Sequence, residues 1–161
     1  MSQPDGWLTG EEAAELRRLA EGLTVLELGA WQGRSTVALA ETAAYVVSVD
    51  RHRGIEGRGG DSLAKFLDNL RGLPNVAVVI GEFGEVGQHL HGFDMVYIDG
   101  DHDAAAVAAD TDTAAGAVVD GGIVAYHDWD FDEVRETVIT TVGRGPDGVA
   151  GSVAHYTASR P

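Results

Sequence analysis

Short apolar runs recur along the chain, each closed by a glycine or an acid, and between them the apolar residues change to a three-and-four spacing. "LTVLELG" (23–29), "YVVSVD" (45–50), "NVAVVIG" (75–81), "FDMVYID" (93–99) and "IVAYHD" (123–128) are nearly continuous in aliphatic residues, the pattern of strands buried on both faces. "GSVAHYTAS" (151–159) predicts a closing strand, and residues 143–161 have room for that one clear strand. Thr9 and Glu12 form a capping box for a helix over 10–21, with Leu16 and Leu19 inward and Gly22 as its stop. Residues 33–43 predict a second helix. A loop with four glycines over 52–60, expected to be mobile, precedes a third, capped by Asp61. There Leu63, Phe66, Leu67 and Leu70 recur at helical spacing until Gly72 and Pro74. An alanine-rich helix over 103–118 and a last one capped by Asp130 and Glu133 and carrying Val134 and Val138 complete the pattern.

Such alternation predicts an α/β fold: a single doubly wound, mostly parallel, Rossmann-like sheet with helices on both faces. No internal repeat, low-complexity tract or linker divides the 161 residues, and 44% hydrophobic content is enough for one domain with a core. In open parallel sheets ligands bind outside the carboxyl ends of the strands. That rule puts Gly29–Gly33, Asp50, Gly81–Phe83, Asp99–His102 and His127–Asp128 along one rim, so that five successive strand ends carry polar or glycine residues.

Charge narrows the partners. A formal net charge of −15 repels phosphate, which argues against nucleic acid and anionic membrane. No apolar run approaches the roughly 18–20 residues of a membrane span. The opening "MSQPDGWLTGEE" lacks the basic and apolar blocks of a signal peptide, so a cytoplasmic location is expected. With no cysteine in the chain, any metal must be held by His, Asp or Glu.

The first loop limits the ligand further. Counting from Gly29, the close-approach glycine of a dinucleotide fingerprint is replaced by Trp31 and the third glycine by Arg34, which argues against a pyrophosphate. The lysine of a phosphate-binding loop is missing as well. A cationic small molecule fits better: Glu27 lies inside the strand, where an unpaired carboxylate is costly, and a ligand ammonium or sulfonium would be its partner. Asp50, 21 residues past Gly29, stands where an acid can accept two ribose hydroxyls. The bland alternative is that Glu27 pairs with an arginine and Asp50 caps a loop.

"VLELGAWQGRSTVALA" (25–40) resembles the cofactor loop of class I S-adenosylmethionine-dependent methyltransferases, nearest to the catechol type and the macrolide-sugar and cephalosporin-pathway O-methyltransferases. "DSLAKFLDNLRGLPNVAVVIGEFGEV", "FDMVYIDGDHD" and "GGIVAYHDWD" are similar to the corresponding blocks, and the likeness runs over about residues 23–135. The resemblance implies that Glu27, Gly29, Trp31 and Ser35 surround the methionine part of S-adenosylmethionine. It puts Asp50 and Arg51 at the ribose, and Gly81, Glu82 and Phe83 near the adenine.

Asp99, Asp101, His102, His127 and Asp128 end neighbouring strands without cysteine, a donor set suited to magnesium, manganese, iron or zinc, with the oxygens favouring magnesium. The resemblance implies metal ligands at Asp99, His127 and Asp128. Several relatives carry a carboxylate where His127 stands, and the softer imidazole makes manganese, iron or zinc plausible; metal-free use of the site also remains open. The resemblance further implies a general base at His102, able to take a proton from a hydroxyl as it is methylated. Asp101 is assigned to cofactor contact or to capping the next helix. Trp129 either walls an acceptor pocket or packs in the core, Trp7 is expected to pack the first helix onto the sheet, and His89, His91 and His155 are read as solvated or structural.

The expected activity is metal-assisted O-methylation of a small hydroxylated acceptor, a sugar, glycan or phenol, by a chain that can form a homo-oligomer. Two other readings are a metal-dependent hydrolase built on "DGDHD" and "HD", and a non-catalytic nucleoside- or S-adenosylmethionine-binding module.

Overall fold

The structure is a computed structural model that describes residues 4–53 and 62–159. Its elements run α1 (Gly10–Ala20), β1 (Thr24–Leu28), α2 (Arg34–Ala40), β2 (Tyr45–Asp50), α3 (Leu63–Asn69), β3 (Val76–Ile80), α4 (Phe83–Gly87), β4 (Phe93–Ile98), α5 (Ala104–Ala117), β5 (Val118–Tyr126), α6 (Asp132–Val142), β6 (Gly148–Ala150) and β7 (Val153–Thr157). Among the described residues these strands form one seven-stranded sheet in the order β3-β2-β1-β4-β5-β7-β6. Strands β1 to β5 pair in parallel; β7 runs antiparallel to β5 and β6 antiparallel to β7. The expected doubly wound, mostly parallel sheet is therefore the fold observed. Strand order reverses at β1, between β2 and β4, and a crevice opens at that switch point.

Alternation survives inside the apolar runs because both faces are covered. Val25, Val46, Met95, Tyr97 and Ala125 pack under Leu16 and Leu19 of α1 and Leu39 of α2. Leu26, Leu28, Val96, Ile98 and Val124 face the other way, against Val107 and Ala114 of α5 and Val134 and Val138 of α6. Each such aliphatic side chain contributes about 1.5–3 kcal/mol when fully buried. The same alternation sends Glu27 and His127 toward the α1 layer, with consequences for the site.

The structure revises several expectations. Strand β3 forms a sheet edge rather than a fully buried strand: its residues are half-buried and Ile80 is 57% exposed. Leu67, part of the helical stripe, is 48% exposed, whereas Phe66 and Leu70 reach the core and Leu63 packs against it. Strand β5 starts at Val118 rather than 123, absorbing "DGG" through a register shift opposite Phe93 and Met95. The hairpin β6–β7 occupies the segment expected to hold one strand. Helix α4, with two glycines in five residues, was not foreseen. Asp103, not Asp101, caps α5, and α6 has Phe131 at its N-cap with no side-chain cap. The Thr9–Glu12 capping box forms as the spacing predicts. The cap expected at Asp61 and most of the 52–60 loop lie outside the described residues. Among the described residues no helix is long and apolar enough to cross a membrane.

Candidate functional site

The turn after β1 is built on conformations that glycine tolerates. Gly29 has φ +97°, and a Cβ there would lie 1.9 Å from the carbonyl oxygen of Asp99, so the ends of β1 and β4 approach as only glycine allows. Gly33 opens α2 in the left-handed region with φ +88°, its Cα facing the ring of Phe66. Asp50 braces the turn between them. Its Oδ2 accepts the N–H groups of Ala30 and Trp31, both at 2.8 Å, and its Oδ1 accepts that of His52 at 2.6 Å. A carboxylate offers about four acceptor directions, so one remains for a hydroxyl at the rim. Arg51 pairs with Glu82 at 3.5 Å, and Gly81 donates its N–H to the Asp50 carbonyl. Phe83 lies beside Gly100, where a Cβ would come within 3.0 Å of its ring.

Trp31 holds a left-handed φ of 45° and stacks on Trp7 with ring centroids 4.6 Å apart. Trp7 is 78% exposed, so it extends the rim and does not pack α1 onto the sheet as expected. Trp129 lies in the core against Tyr156.

Glu27 is 0% exposed, and its carboxylate accepts three hydroxyl donors at 2.6 Å each: Ser35 on Oε1, and Thr36 and Ser48 on Oε2. Ser48 is its register partner on β2. The cost of burying this acid is thus offset within the chain, and no ligand cation is needed to complete its hydrogen bonding. Burial nevertheless pushes its pKa up to about 7, against the opposing pull of Ser35, Ser48 and Thr36. Ser35 is buried as well and turns its hydroxyl to Glu27 rather than to the rim.

Across the switch point, Asp99, His127 and Asp128 come together. One donor atom from each lies within 4.8 Å of the others, a span close to what a single cation with donors at about 2.0–2.2 Å would bridge. Nδ1 of His127 is 3.6 Å from Oδ1 of Asp99 and 3.1 Å from Oδ1 of Asp128. Both ring nitrogens are buried, and neither has a hydrogen-bond partner of acceptable geometry among the described residues. Asp128 sits in the left-handed region at φ +57°, which turns its carboxylate toward His102. There Nε2 of His102 lies 2.7 Å from Oδ2 of Asp128, while the imidazole packs on Phe131 with centroids 4.5 Å apart. A cavity of about 20 Å³ adjoins these groups, lined also by Gly100, Asp110 and Val134, and it has room for one water or ion.

The electrostatics follow from three carboxylates around one imidazole. Burial disfavours the charged ring, but Asp128, Asp99 and Glu12 overcome it and push the His127 pKa up to about 9. Burial raises Asp99 to about 6, with His127 opposing. For Asp128, burial is outweighed by His127 and then His102, which hold its carboxyl below the usual range. One ring nitrogen of His127 with the carboxylates of Asp99 and Asp128 makes a donor set that fits a divalent cation, which would replace the proton on Nδ1.

Of the predicted residues, Gly29, Trp31, Asp50 and Asp99 meet at the switch point, and His102, His127 and Asp128 join Asp99. Asp101 is exposed and accepts the N–H of Asp103, which shapes the loop before α5. Sequence reasoning missed Glu12 as a member of the site. Its Oε2 lies 3.6 Å from Nε2 of His127, a contact that a capping-box spacing does not announce.

The comparisons agree with this fold. The methyltransferase domain family matches residues 26–129. A S-adenosylmethionine-dependent O-methyltransferase from Thermotoga maritima superposes with a TM-score of 0.76 at 14% identity, covering 98% of this chain and 68% of that one. The O-methyltransferase TomG of Streptomyces achromogenes, involved in tomaymycin synthesis and solved with S-adenosylmethionine, gives 0.70 at 18% identity over 92% and 80% of the two chains. The N-methyltransferase NodS of Bradyrhizobium japonicum gives 0.67 at 15% identity over 92% and 94%. At these identities the solved structures speak for the fold alone. No curated protein matches the chain in sequence. With the family matched over most of its length and the sheet order in place, the chain belongs to the methyltransferase domain family and is a S-adenosylmethionine-dependent methyltransferase of the class I fold.

Proposed function

We propose that the protein methylates a hydroxyl oxygen of a small acceptor, a sugar, glycan or phenol, with assistance from a divalent cation. The observation that carries this reading is the His102–Asp128 pair set against the Asp99–His127–Asp128 cluster. When bound, S-adenosylmethionine supplies an electrophilic methyl group on a sulfonium, and a cation held by Asp99, His127 and Asp128 favours the deprotonated form of an acceptor hydroxyl.

The chain's own residues supply the rest. Asp50 and the turn from Gly29 to Gly33 form the donor side of the crevice, with Trp31 and Trp7 as an aromatic wall. Asp128 holds Nε2 of His102, which leaves Nδ1 to take the hydroxyl proton. Phe131 fixes the plane of that imidazole. The net charge of −15 favours neutral or cationic acceptors over phosphate-rich ones.

The test is methyl transfer to a panel of sugars and phenols, followed by mass spectrometry of the products with added magnesium or manganese and again with a chelator. Methylated oxygen that disappears with the chelator supports the reading. Transfer indifferent to the chelator removes the cation, and products methylated only at nitrogen or carbon remove the hydroxyl acceptor.

A further inference from the structure

Glu12 is the N3 residue of the capping box that starts α1. Here the residue is 4% exposed, because the β6–β7 turn covers it. Its Oε2 accepts the N–H of Thr9 at 2.7 Å, and its Oε1 accepts that of Ser152 at 2.7 Å, so backbone donors from two ends of the chain fix the carboxylate. Gly151, with φ +57°, makes the close approach possible: a Cβ there would lie 2.8 Å from Cγ of Glu12. The carboxylate so held has one more neighbour, Nε2 of His127 at 3.6 Å. On the far side of the same ring, Nδ1 faces Asp99 and Asp128. Nε2 has no hydrogen-bond partner among the described residues, so the carboxylate of Glu12 is the acceptor it faces.

From this geometry we propose that Glu12 is the positioning residue of the cation site: it takes the Nε2–H of His127 and thereby commits the Nδ1 lone pair to the space between Asp99 and Asp128. The proposal rests on the cation reading above and assigns a further residue to it. Carboxylates face both ring nitrogens, but a cation between Asp99 and Asp128 would replace the proton on Nδ1, and Glu12 would then be the anion that keeps the remaining proton on Nε2. Without Glu12 the ring is free to take the other tautomer, in which Nδ1 carries the proton and repels a cation. The carboxylate also raises the basicity of the ligating nitrogen.

The test is manganese binding to the intact protein by calorimetry, for the wild type and for Glu12→Ala, Thr9→Ala and His127→Ala. Loss of an outer carboxylate of this kind typically weakens metal binding about 10–100-fold. That loss is expected for Glu12→Ala, whereas Thr9→Ala, which removes the helix cap but keeps the carboxylate, lowers the melting temperature and leaves manganese affinity unchanged. If Glu12→Ala binds manganese as the wild type does while His127→Ala does not, the proposal fails and the cation site stands. If the wild type binds no manganese, or His127→Ala binds it equally well, the cation reading with its His127 ligand fails and takes the proposal with it. A second measurement needs no variant at Glu12: nitrogen-15 spectra of the zinc-loaded wild type are expected to find His127 protonated at Nε2, and protonation at Nδ1 would overturn the proposal.

Discussion

Nε2 of His102 lies 2.7 Å from Oδ2 of Asp128, so the imidazole proposed for proton transfer is tied to a carboxylate of the proposed cation site. The pair bridges the 26 residues between two strand ends. It gives the imidazole a defined orientation before any acceptor arrives, the arrangement by which an anion fixes a base.

His102→Ala should therefore reduce turnover by about 10²–10⁴-fold, the usual range for a general base, without changing S-adenosylhomocysteine affinity. Steady-state kinetics and calorimetry measure the two separately. Full activity at neutral pH would show that His102 is not the base.

Asp50→Ala acts on the donor side. It removes the acceptor of the Ala30, Trp31 and His52 N–H groups that brace the turn after β1. Each backbone donor left unpaired costs about 1–3 kcal/mol where water cannot replace it. S-adenosylhomocysteine affinity should fall by at least tenfold, while manganese affinity, set by groups across the crevice, stays as it was. Calorimetry with each ligand decides this.

Gly29→Ala should be among the most damaging single substitutions in the chain. The new methyl would lie 1.9 Å from the Asp99 carbonyl oxygen, a backbone atom that cannot rotate away, in a residue with φ +97°. A loss of more than about 4 kcal/mol is expected, seen as insoluble protein or a collapsed urea midpoint. An unchanged midpoint would mean that the ends of β1 and β4 can part freely.

Glu27 gives the fold a pH dependence with a definite sign. Its pKa rises from 4.5 to about 7 on folding, burial being the main cause. The folded state therefore holds this proton more tightly, and the associated stability is fully present below 4.5. It declines as pH rises, and is lost on passing through about 7. The decline amounts to something on the order of 3 kcal/mol. Urea midpoints for the unliganded protein should fall over this window, and Glu27→Gln should flatten the fall. A variant as steep as the wild type would assign the effect to Asp99 and Asp110, each raised to about 6 by burial.

Much of this was legible in the sequence because strands buried on both faces must be apolar throughout, and the residue at each strand's end then stands out. Gly29, Asp50, Asp99 and His127 were found that way. Partners set by the third dimension were not legible. Nothing in the spacing tells that Glu27 meets Ser48, since strand register decides it. The exposure of Ile80 depends on β3 lying at an edge, which is a matter of strand order rather than local pattern. Strand β6 has three residues, too few for alternation to register. The His102–Asp128 contact joins residues 26 positions apart at two strand ends, and strand order rather than local spacing brings them together.

The clasp between Glu12 and Ser152 joins positions 140 residues apart. During synthesis α1 leaves the ribosome long before the β6–β7 hairpin does. Until that hairpin emerges, the carboxylate beside His127 lacks the amide that steadies it. The same hairpin places Val153, Ala154 and Tyr156 in the core, so the packing of the sheet and the setting of the carboxylate beside His127 are completed by one and the same segment.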